Sequence, residues 1–253
     1  MIEVNQLSKA FAGRPVLQAV NARFETGKVN FVIGRSGSGK SVLVKCIVGL
    51  LEPESGSVAY DGRDFTAMGV QDRKEVRKEI GMLFQGSALF DSMTVLENVM
   101  FPLRMFRHAT VEENRERAME CLRRVELVGA EDRYPAQVSG GMQKRVGIAR
   151  AIALNPRYLF CDEPNSGLDP QTAIVIDDLI RAITQEFNMT TVVVSHDMNS
   201  VMQASDNVHF VHEGQILWNG TREALLAGGP PELEAFVFAS SLMQRVRKVS
   251  RGI

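Results

Sequence analysis

A strand, a glycine-rich loop and a helix follow one another near the N-terminus, and this run constrains the fold more than any other part of the chain. The stretch VNFVI (Val29–Ile33) predicts a buried strand, GRSGSGKS predicts a loop, and VLVKCIVGLL has the apolar periodicity of a helix. This order is typical of the start of a parallel βαβ unit. We therefore expect an α/β protein built around a largely parallel sheet.

The loop itself predicts a phosphate-binding site. It fits the pattern G-x-x-x-x-G-K-[ST] at Gly34, Gly39, Lys40 and Ser41. The glycines allow backbone N–H groups to point at phosphate oxygens, the lysine reaches the β and γ phosphates, and the serine hydroxyl can ligate Mg²⁺. A flexible Gly/Ser turn is the alternative. The position between a strand and a helix favours the phosphate site.

Two adjacent carboxylates end a second apolar strand. In RYLFCDEP, Asp162 and Glu163 follow four apolar residues, and Pro164 prevents the strand from continuing. We expect Asp162 to hold Mg²⁺ directly or through water, and Glu163, on the other face, to polarise a water for attack on the γ-phosphate. A solvated acidic turn is the alternative. The phosphate loop predicted elsewhere in the chain favours the catalytic interpretation.

A second anion site is predicted at Ser139-Gly140-Gly141, immediately before the helix MQKRVGIARAIAL. A serine N-cap and exposed glycine N–H groups at a helix N-terminus attract anions. The two predicted phosphate-binding sites can contact the same γ-phosphate if two chains associate head to tail, because one site then comes from each chain.

The sequence resembles the ATPase subunits (nucleotide-binding domains) of ABC transporters over residues 1 to about 228. The motifs occur in family order: the phosphate loop, Gln85 in MLFQGSALF, SGGMQ, YLFCDEP, SGLD at Ser166 to Asp169, and His196 in VVVSHD. Two departures are Met142, where many relatives carry Gln, and Phe11, where Tyr is more usual.

The resemblance implies roles for the matching positions and implies ATP and Mg²⁺ as cofactors. Gln85 is similar to the glutamine of the Mg²⁺ shell, His196 to the histidine that contacts the γ-phosphate, and Asp169 to the aspartate at the dimer interface. Phe11 would stack on adenine beside Val16. The expected catalytic residues are Glu163, His196, Lys40 and Gln85, and the expected metal ligands are Ser41, Gln85 and Asp162. The expected ATP contacts are Phe11, Val16, Gly34, Arg35, Ser36, Gly37, Ser38, Gly39, Lys40, Ser41, Val42, Ser139, Gly140, Gly141 and Asp169.

The implied fold is an α/β P-loop NTPase core, a mixed and mostly parallel sheet flanked by helices, with an antiparallel β subdomain. A helical subdomain is inserted at about residues 86–156, where Ala118, Cys121, Leu122 and Val125 show helical spacing. Two hairpins are expected, with turns at Asp61-Gly62 and Glu213-Gly214. The ATPase domain would span residues 1–228, and residues 229–253 would form a C-terminal helical extension.

The loop GMLFQGSALFDSMTVLENV is similar to that of the Mla-type phospholipid transporter ATPases, which work with MCE-domain proteins. The resemblance implies a second copy of the chain, an integral membrane permease, an MCE-domain substrate-binding protein and a small accessory subunit as partners. Another cargo, such as amino acids, and an ATP-gated regulator without transport are the alternatives. The patch Ala88, Leu89, Phe90, Met93 and Val95 would dock a partner or pack under the helical insertion.

Composition and charge limit the kinds of partner and the cellular environment that we expect for the protein. The formal net charge of −1 gives no electrostatic reason to expect nucleic acid as a partner. The three cysteines stand far apart in apolar runs, which favours buried thiols in a reducing compartment. The N-terminus lacks the apolar region of a signal peptide, and no stretch reaches the roughly 18 apolar residues of a membrane span. The resemblance to ABC-transporter ATPases implies a peripheral protein at the cytoplasmic face of the inner membrane.

The tail after Pro231 has apolar residues at near-helical spacing, among them Leu233, Phe236 and Leu242, followed by Arg245, Arg247, Lys248 and Arg251. It could contact the second copy, an accessory subunit or anionic lipid, or pack on its own domain. The resemblance to Mla-type ATPases favours contact with the second copy.

Overall fold

The computed structural model describes residues 1–250, without the side chains of residues 241, 242 and 248–250. The expectations for Leu242, Lys248 and Arg251 therefore lie outside the described residues. The strands are β1 Ile2–Phe11, β2 Arg14–Phe24, β3 Val29–Ile33, β4 Ser55–Tyr60, β5 Arg63–Asp64, β6 Ile80–Leu83, β7 Tyr158–Asp162, β8 Thr190–Val194, β9 Asn207–His212 and β10 Gln215–Thr221. The helices are α1 Lys40–Ile47, α2 Val70–Lys78, α3 Val95–Phe106, α4 Val111–Arg124, a 3₁₀ turn Pro135–Gln137, α5 Gly140–Ala151, α6 Pro170–Glu186, α7 Met198–Ala204, α8 Arg222–Ala227, α9 Pro231–Val237 and α10 Ser241–Ser250.

A six-stranded sheet in the order β10-β9-β3-β8-β7-β6 forms the centre of the protein. Five of its strands are parallel, and β10 joins the edge antiparallel to β9. A separate antiparallel sheet has the order β2-β1-β4-β5. This arrangement confirms the predicted α/β class with a mixed, mostly parallel sheet and an antiparallel β part.

The central strands are buried on both faces, as their apolar sequences predict. In β7, Leu159 and Cys161 pack in the hydrophobic cluster on the helical side of the sheet, whereas Tyr158 and Phe160 pack in a second cluster with α1 and the antiparallel sheet. The alternation follows from the two-residue period of a strand. Parallel pairing of β3, β8 and β7 places the carboxyl ends of these strands at one edge of the sheet.

Helices occupy most of the segment between β6 and β7. Both α3 and α4 begin with a capping box, formed by Thr94 with Glu97 and by Thr110 with Glu113. These helices and α5 pack on one another and bury Ala118, Cys121, Leu122 and Val125. The division of the chain into domains at residues 86, 156 and 228 stays a prediction.

Both predicted hairpins have the expected pairing. Tyr60 pairs with Arg63 across Asp61-Gly62, and His212 pairs with Gln215 across Glu213-Gly214. The turn residues have positive φ, between 46° and 77°, which is the geometry that matches the twist of the flanking strands.

The tail packs on the body of its own chain. Leu233, Val237, Phe238 and Met243 are buried in the main hydrophobic cluster, and the Phe236 ring lies 5.5 Å from that of Phe210 on β9. These contacts show the tail packed on its own domain, and its contact with a second copy stays a prediction. Within residues 1–250, none of the helices is both long and apolar enough to cross a membrane.

Candidate active site

The glycine-rich loop joins β3 to α1, and its backbone admits only glycine at the first position. Gly34 has φ 149°, and a Cβ there would lie 2.3 Å from the main-chain oxygen of Val211. No side chain caps the N-terminus of α1 at Gly39. The first N–H groups of this helix are therefore available to an anion.

Lys40 folds back across this loop. Its Nζ donates to the main-chain oxygens of Gly34 at 2.8 Å and Arg35 at 2.9 Å. Burial lowers the pKa of Lys40, while the nearby carboxylates of Glu163 and Asp162 raise it. The ammonium group thus sits between the phosphate loop and the acidic pair.

Asp162 ends β7 and faces the start of α1. Burial raises the pKa of its carboxyl and Glu163 adds to this, whereas Lys45, Lys40 and a hydrogen bond from Ser41 lower it. Its Oδ1 is buried without a hydrogen-bond partner, as is the hydroxyl of Ser38 in the loop. The structure thus brings the predicted metal ligands Ser41 and Asp162 together and leaves one carboxylate oxygen free to bind.

Glu163 follows Asp162 directly, and its side chain has a different partner. Its φ of 50° is unusual for a residue other than glycine, and its backbone N–H donates to the oxygen of Val194 at 2.9 Å. Its Oε1 lies 2.8 Å from Nδ1 of His196, which follows β8. The predicted base and the predicted γ-phosphate contact are therefore a hydrogen-bonded pair.

Gln85 belongs to the same edge of the sheet. Strand β6 runs parallel to β7 with Leu83 opposite Cys161, so Gln85 and Glu163 each lie two residues beyond a paired position. Gln85 is exposed in the turn that follows β6. A parallel sheet collects such residues at the carboxyl ends of its strands, where ligands bind.

The two residues predicted to contact adenine lie in the antiparallel sheet. The main-chain oxygen of Val16 packs against the loop, within 3.0 Å of where a Cβ on Gly39 would lie. Phe11 is 44% exposed at the end of β1, with Nζ of Lys9 5.3 Å from its ring. The face of Phe11 is therefore open enough to stack on a base.

Ser139, Gly140, Gly141 and Asp169 form a second group. Ser139 caps α5 by accepting from the N–H of Met142 at 3.3 Å, and Asp169 caps α6 by accepting from the N–H of Thr172 at 3.0 Å. A Cβ on Gly141 would lie 2.5 Å from Cγ2 of that threonine, so the two helix starts are adjacent. Among residues 1–250, no hydrogen bond or ion pair joins this group to Lys40, Asp162 or Glu163.

Two polar residues near the acidic pair were not predicted from the sequence. Lys144 on α5 is 4% exposed with no hydrogen-bond partner for its Nζ; burial lowers its pKa, and Cys161, Glu163 and Asp162 raise it. Asn165 lies in the loop after Glu163 and bonds to two helices. Neither has a local sequence signal, because a lysine on a helix or an asparagine in a turn is usually exposed.

A cavity of about 610 Å³ opens beside Glu163 and His196. The loop Asn165–Gly167 lines one wall, and Phe236, Val237 and Met243 of the tail line another. Within the described part of the chain, no three His, Cys, Asp or Glu residues converge as a metal site.

The chain matches the ABC transporter family over residues 17–166. It is 39% identical over 236 residues to the probable ribonucleotide transport ATP-binding protein mkl of Mycobacterium tuberculosis, covering 93% of this chain and 66% of that protein. It is 41% identical to the methionine import ATP-binding protein MetN of Caulobacter vibrioides, covering 88% and 68%. It is 38% identical to the intermembrane phospholipid transport system ATP-binding protein MlaF of Haemophilus influenzae, covering 89% and 86%. The chain thus spans about two thirds of the length of the first two relatives.

Solved structures show the same fold. The dimeric post-hydrolysis structure of the ATP-binding cassette MJ0796, bound to ADP and Pi, superposes with a TM-score of 0.80 at 33% identity, covering 87% of this chain and 98% of that one.

Proposed function

This chain belongs to the ABC transporter family and is an ABC-type ATPase, and on that premise we propose that it drives a membrane transporter as a head-to-tail dimer around two ATP·Mg²⁺. One observation carries the proposal. Lys40, Ser41, Asp162, Glu163 and His196 converge at one edge of the sheet, whereas Ser139, Gly140, Gly141 and Asp169 form a group apart from them. Two copies of the chain would bring the two groups to the same ATP.

The residues of the first group fit ATP and Mg²⁺. The loop of residues 34–39 and the first turn of α1 up to Val42 would hold the phosphates, with Lys40 reaching the β and γ phosphates. Asp162, with its free Oδ1, would hold Mg²⁺ together with Ser41 and Gln85. When bound, the cation offsets the negative charge that develops on the phosphate oxygens.

Glu163 would act as the base, and His196 would orient it and contact the γ-phosphate. The Glu163 carboxylate accepts a proton from the attacking water, and the hydrogen bond to His196 orients it. The side chain of His196 is 68% exposed at the open edge of the site, where a γ-phosphate would meet it. Phe11 and Val16 would hold adenine at the opposite end of the nucleotide.

The partner copy would complete each ATP site. Its Ser139 hydroxyl and the N–H groups of Gly140 and Gly141 would contact the γ-phosphate, and its Asp169 would cross the interface. Met142 contributes only its main-chain N–H to the cap. The departure at this position therefore leaves the proposed contacts intact.

We further propose a phospholipid or a similar hydrophobic compound as cargo, moved by a separate permease with an MCE-domain protein. The similarity to MlaF supports this choice. Methionine or another amino acid is the second candidate, supported by the similarity to MetN at 41% identity. In either case the chain would lie at the cytoplasmic face of the inner membrane, attached through the permease.

Part of the predicted apolar patch is buried in the core and part of it is exposed. Val95 is fully buried and Leu89 packs against the core. Phe90 is 40% exposed and lies 4.7 Å from the ring of Phe101. We propose that the exposed part, with Phe90 and Phe106, docks the permease; Phe106 is 42% exposed.

A complementation experiment tests the dimer. Ser139→Arg places a bulky cation in the second group and Lys40→Ala disables the first, so each variant alone should lose ATPase activity. In the mixed dimer both changes fall on the same ATP, and the other site is complete. Activity should reappear on mixing, and two differently tagged Lys40→Ala preparations are the control. Full activity of Ser139→Arg alone would contradict the head-to-tail arrangement.

Purification from native membranes tests the cargo class. A tagged copy of the chain should bring down a permease together with an MCE-domain protein, identified by mass spectrometry. Recovery of an amino-acid permease without any MCE-domain protein would instead support an amino acid as the cargo.

A further inference from the structure

A buried polar network ties the loop after Glu163 to two helices. Nδ2 of Asn165 lies 2.8 Å from Oδ1 of Asp177 on α6 and 2.8 Å from Oγ of Ser200 on α7. Asp177 is 3% exposed and Ser200 is 2% exposed. We call Asn165, Asp177 and Ser200 the Asn165 network.

The network joins elements that carry separate parts of the site. Asn165 lies two residues after Glu163 and four before Asp169, the residue that caps α6. Ser200 lies four residues after His196, on the helix that Asp197 caps. Because Asn165 is bonded to both helices, the network holds three site residues in place relative to one another. They are the proposed base Glu163, the proposed γ-phosphate contact His196 and the proposed interface residue Asp169.

Holding a carboxylate at this position is costly for folding. Burial raises the pKa of Asp177 to about 6, and the hydrogen bonds from Ser200 and Asn165 only partly oppose this. Asp197 at the start of α7 and Asp178 on α6 raise it further, and Cys161 on β7 faces the same carboxyl. Since apolar residues would stabilise such a junction better, the carboxylate points to a role other than stability.

We propose that Asn165, Asp177 and Ser200 are positioning residues for ATP turnover, which hold the loop of residues 165–169 in register with α7. The proposal rests on the proposed function, because it assigns the network to the hydrolysis step. None of the three residues is assigned a contact with ATP. Their effect reaches the reaction through Glu163, His196 and Asp169.

The ionised form of Asp177 is the one that holds the loop. A carboxylate accepts a charge-assisted hydrogen bond from Asn165 and from Ser200, and protonation weakens both. A cavity of about 540 Å³ borders all three residues, so water can exchange protons with the carboxyl. Acidification through pH 6 should therefore loosen the loop and slow turnover.

The pH dependence of ATP hydrolysis tests the proposal, with Asp177→Asn compared with Asp178→Asn. Asp178→Asn is the control for losing one negative charge: Asp178 lies one residue along on the exposed side of α6 and bonds Gln203 on α7, and its replacement leaves the hydrogen bonds of Asn165 in place. Asp177→Asn should lower kcat at pH 7.5 by about tenfold with KM changed less than about twofold, because misplacing a catalytic group acts on the chemical step. The fall in kcat near pH 6 should be present in wild type, move to lower pH in Asp178→Asn because Asp178 raises the pKa of Asp177, and disappear in Asp177→Asn. An Asp177→Asn protein with wild-type kcat and an unchanged acid limb overturns the proposal.

A direct titration separates this proposal from the proposed function. The carboxyl ¹³C signal of Asp177, followed by NMR in nucleotide-free protein, should titrate near pH 6, and Asn165→Ala should raise that midpoint. Ser200→Ala provides the same comparison if Asn165→Ala does not fold. A midpoint near 4, or one that neither variant moves, overturns the network. A wild-type protein that hydrolyses no ATP overturns the proposed function, while the titration still decides whether the network exists.

Discussion

Two neighbouring carboxylates have different surroundings, and the difference assigns them different chemistry. Asp162 is held inward by Ser41 and keeps one buried oxygen free, which suits a cation. Glu163 turns toward the open edge and pairs with His196, which suits a base for water. A left-handed backbone at Glu163 makes this divergence possible.

Glu163→Gln tests the role of the base. The amide is nearly isosteric but cannot accept a proton from water, so ATP should still bind while hydrolysis falls by about 10²-fold or more. Phosphate release and size-exclusion chromatography in ATP·Mg²⁺ measure both, and an ATP-trapped dimer is expected. Glu116→Gln, an exposed carboxylate on α4, is the control. Phosphate release at the wild-type rate would remove Glu163 from the mechanism.

The burial of Asp177 makes the free energy of unfolding depend on pH. Its pKa is raised from 3.8 to about 6 in the folded protein, so the native state binds a proton that the unfolded chain has already lost. The resulting stabilisation is present below pH 4 and is lost as pH rises through 6, with a ceiling of about 3 kcal/mol. Denaturant unfolding of wild type and Asp177→Asn should show this slope in wild type only. Parallel curves for the two proteins would show that Asp177 does not titrate there.

At the scale of elements, loops that begin at strand ends carry most of the site. The phosphate loop follows β3, the acidic pair ends β7, and His196 follows β8, which lies between them in the sheet. Backbone pairing aligns these ends, with Val32 opposite Val194 and Val194 opposite Asp162. The sheet register therefore sets the distance between the loop and the carboxylates.

Gly34→Ala tests how tightly this loop is held. An added Cβ meets the Val211 backbone oxygen at 2.3 Å and φ is 149°, so the loop or β9 must shift. We expect affinity for a fluorescent ATP analogue to fall at least about tenfold and the Tm to fall by several degrees. Gly69→Ala is the control, since its Cβ would meet nothing within 4 Å. Equal behaviour of the two variants would show that the loop tolerates a side chain.

At the scale of the whole molecule, the central sheet separates two hydrophobic clusters and the tail adds to one of them. Leu233 and Val237 of α9 are each 1% exposed in the cluster that also holds α3, α4 and α5 residues. Met243 of α10 lines both the cavity beside Glu163 and the one beside Asp177. The tail therefore packs with the core of the protein and lines the cavities beside the site.

Leu233→Ala tests the contribution of the tail. Removing a buried leucine should cost about 2–4 kcal/mol in the free energy of unfolding, since it loses burial and leaves a cavity. Leu217→Ala on β10 is the control, because that side chain is 40% exposed. Chemical denaturation measures both. A loss no larger than that of the control would mean that α9 does not pack on the core.

Much of the fold followed from local patterns in the sequence. The strand–loop–helix that starts at Val29, the strand before Asp162 and the two hairpin turns were all predicted, although α1 ends at Ile47, earlier than the predicted stretch VLVKCIVGLL, and the α/β class is confirmed. The reason is that glycine geometry, apolar periodicity and helix caps act over a few residues. The residues of the two proposed groups were chosen from motif spacing and, for His196 and Asp169, from the resemblance to ABC-transporter ATPases, and their roles remain proposals.

Other features required the tertiary structure. The bond from Glu163 to His196 joins residues 33 positions apart, and those from Asn165 reach 12 and 35 residues along the chain. Burial of Lys144 and the packing of the tail against β9 have no local signature either. Each of these depends on which strands are neighbours and on how helices cover the sheet. The sequence by itself determined the local elements and the chemistry at their ends, and only packing over long sequence separations decided which of those ends meet.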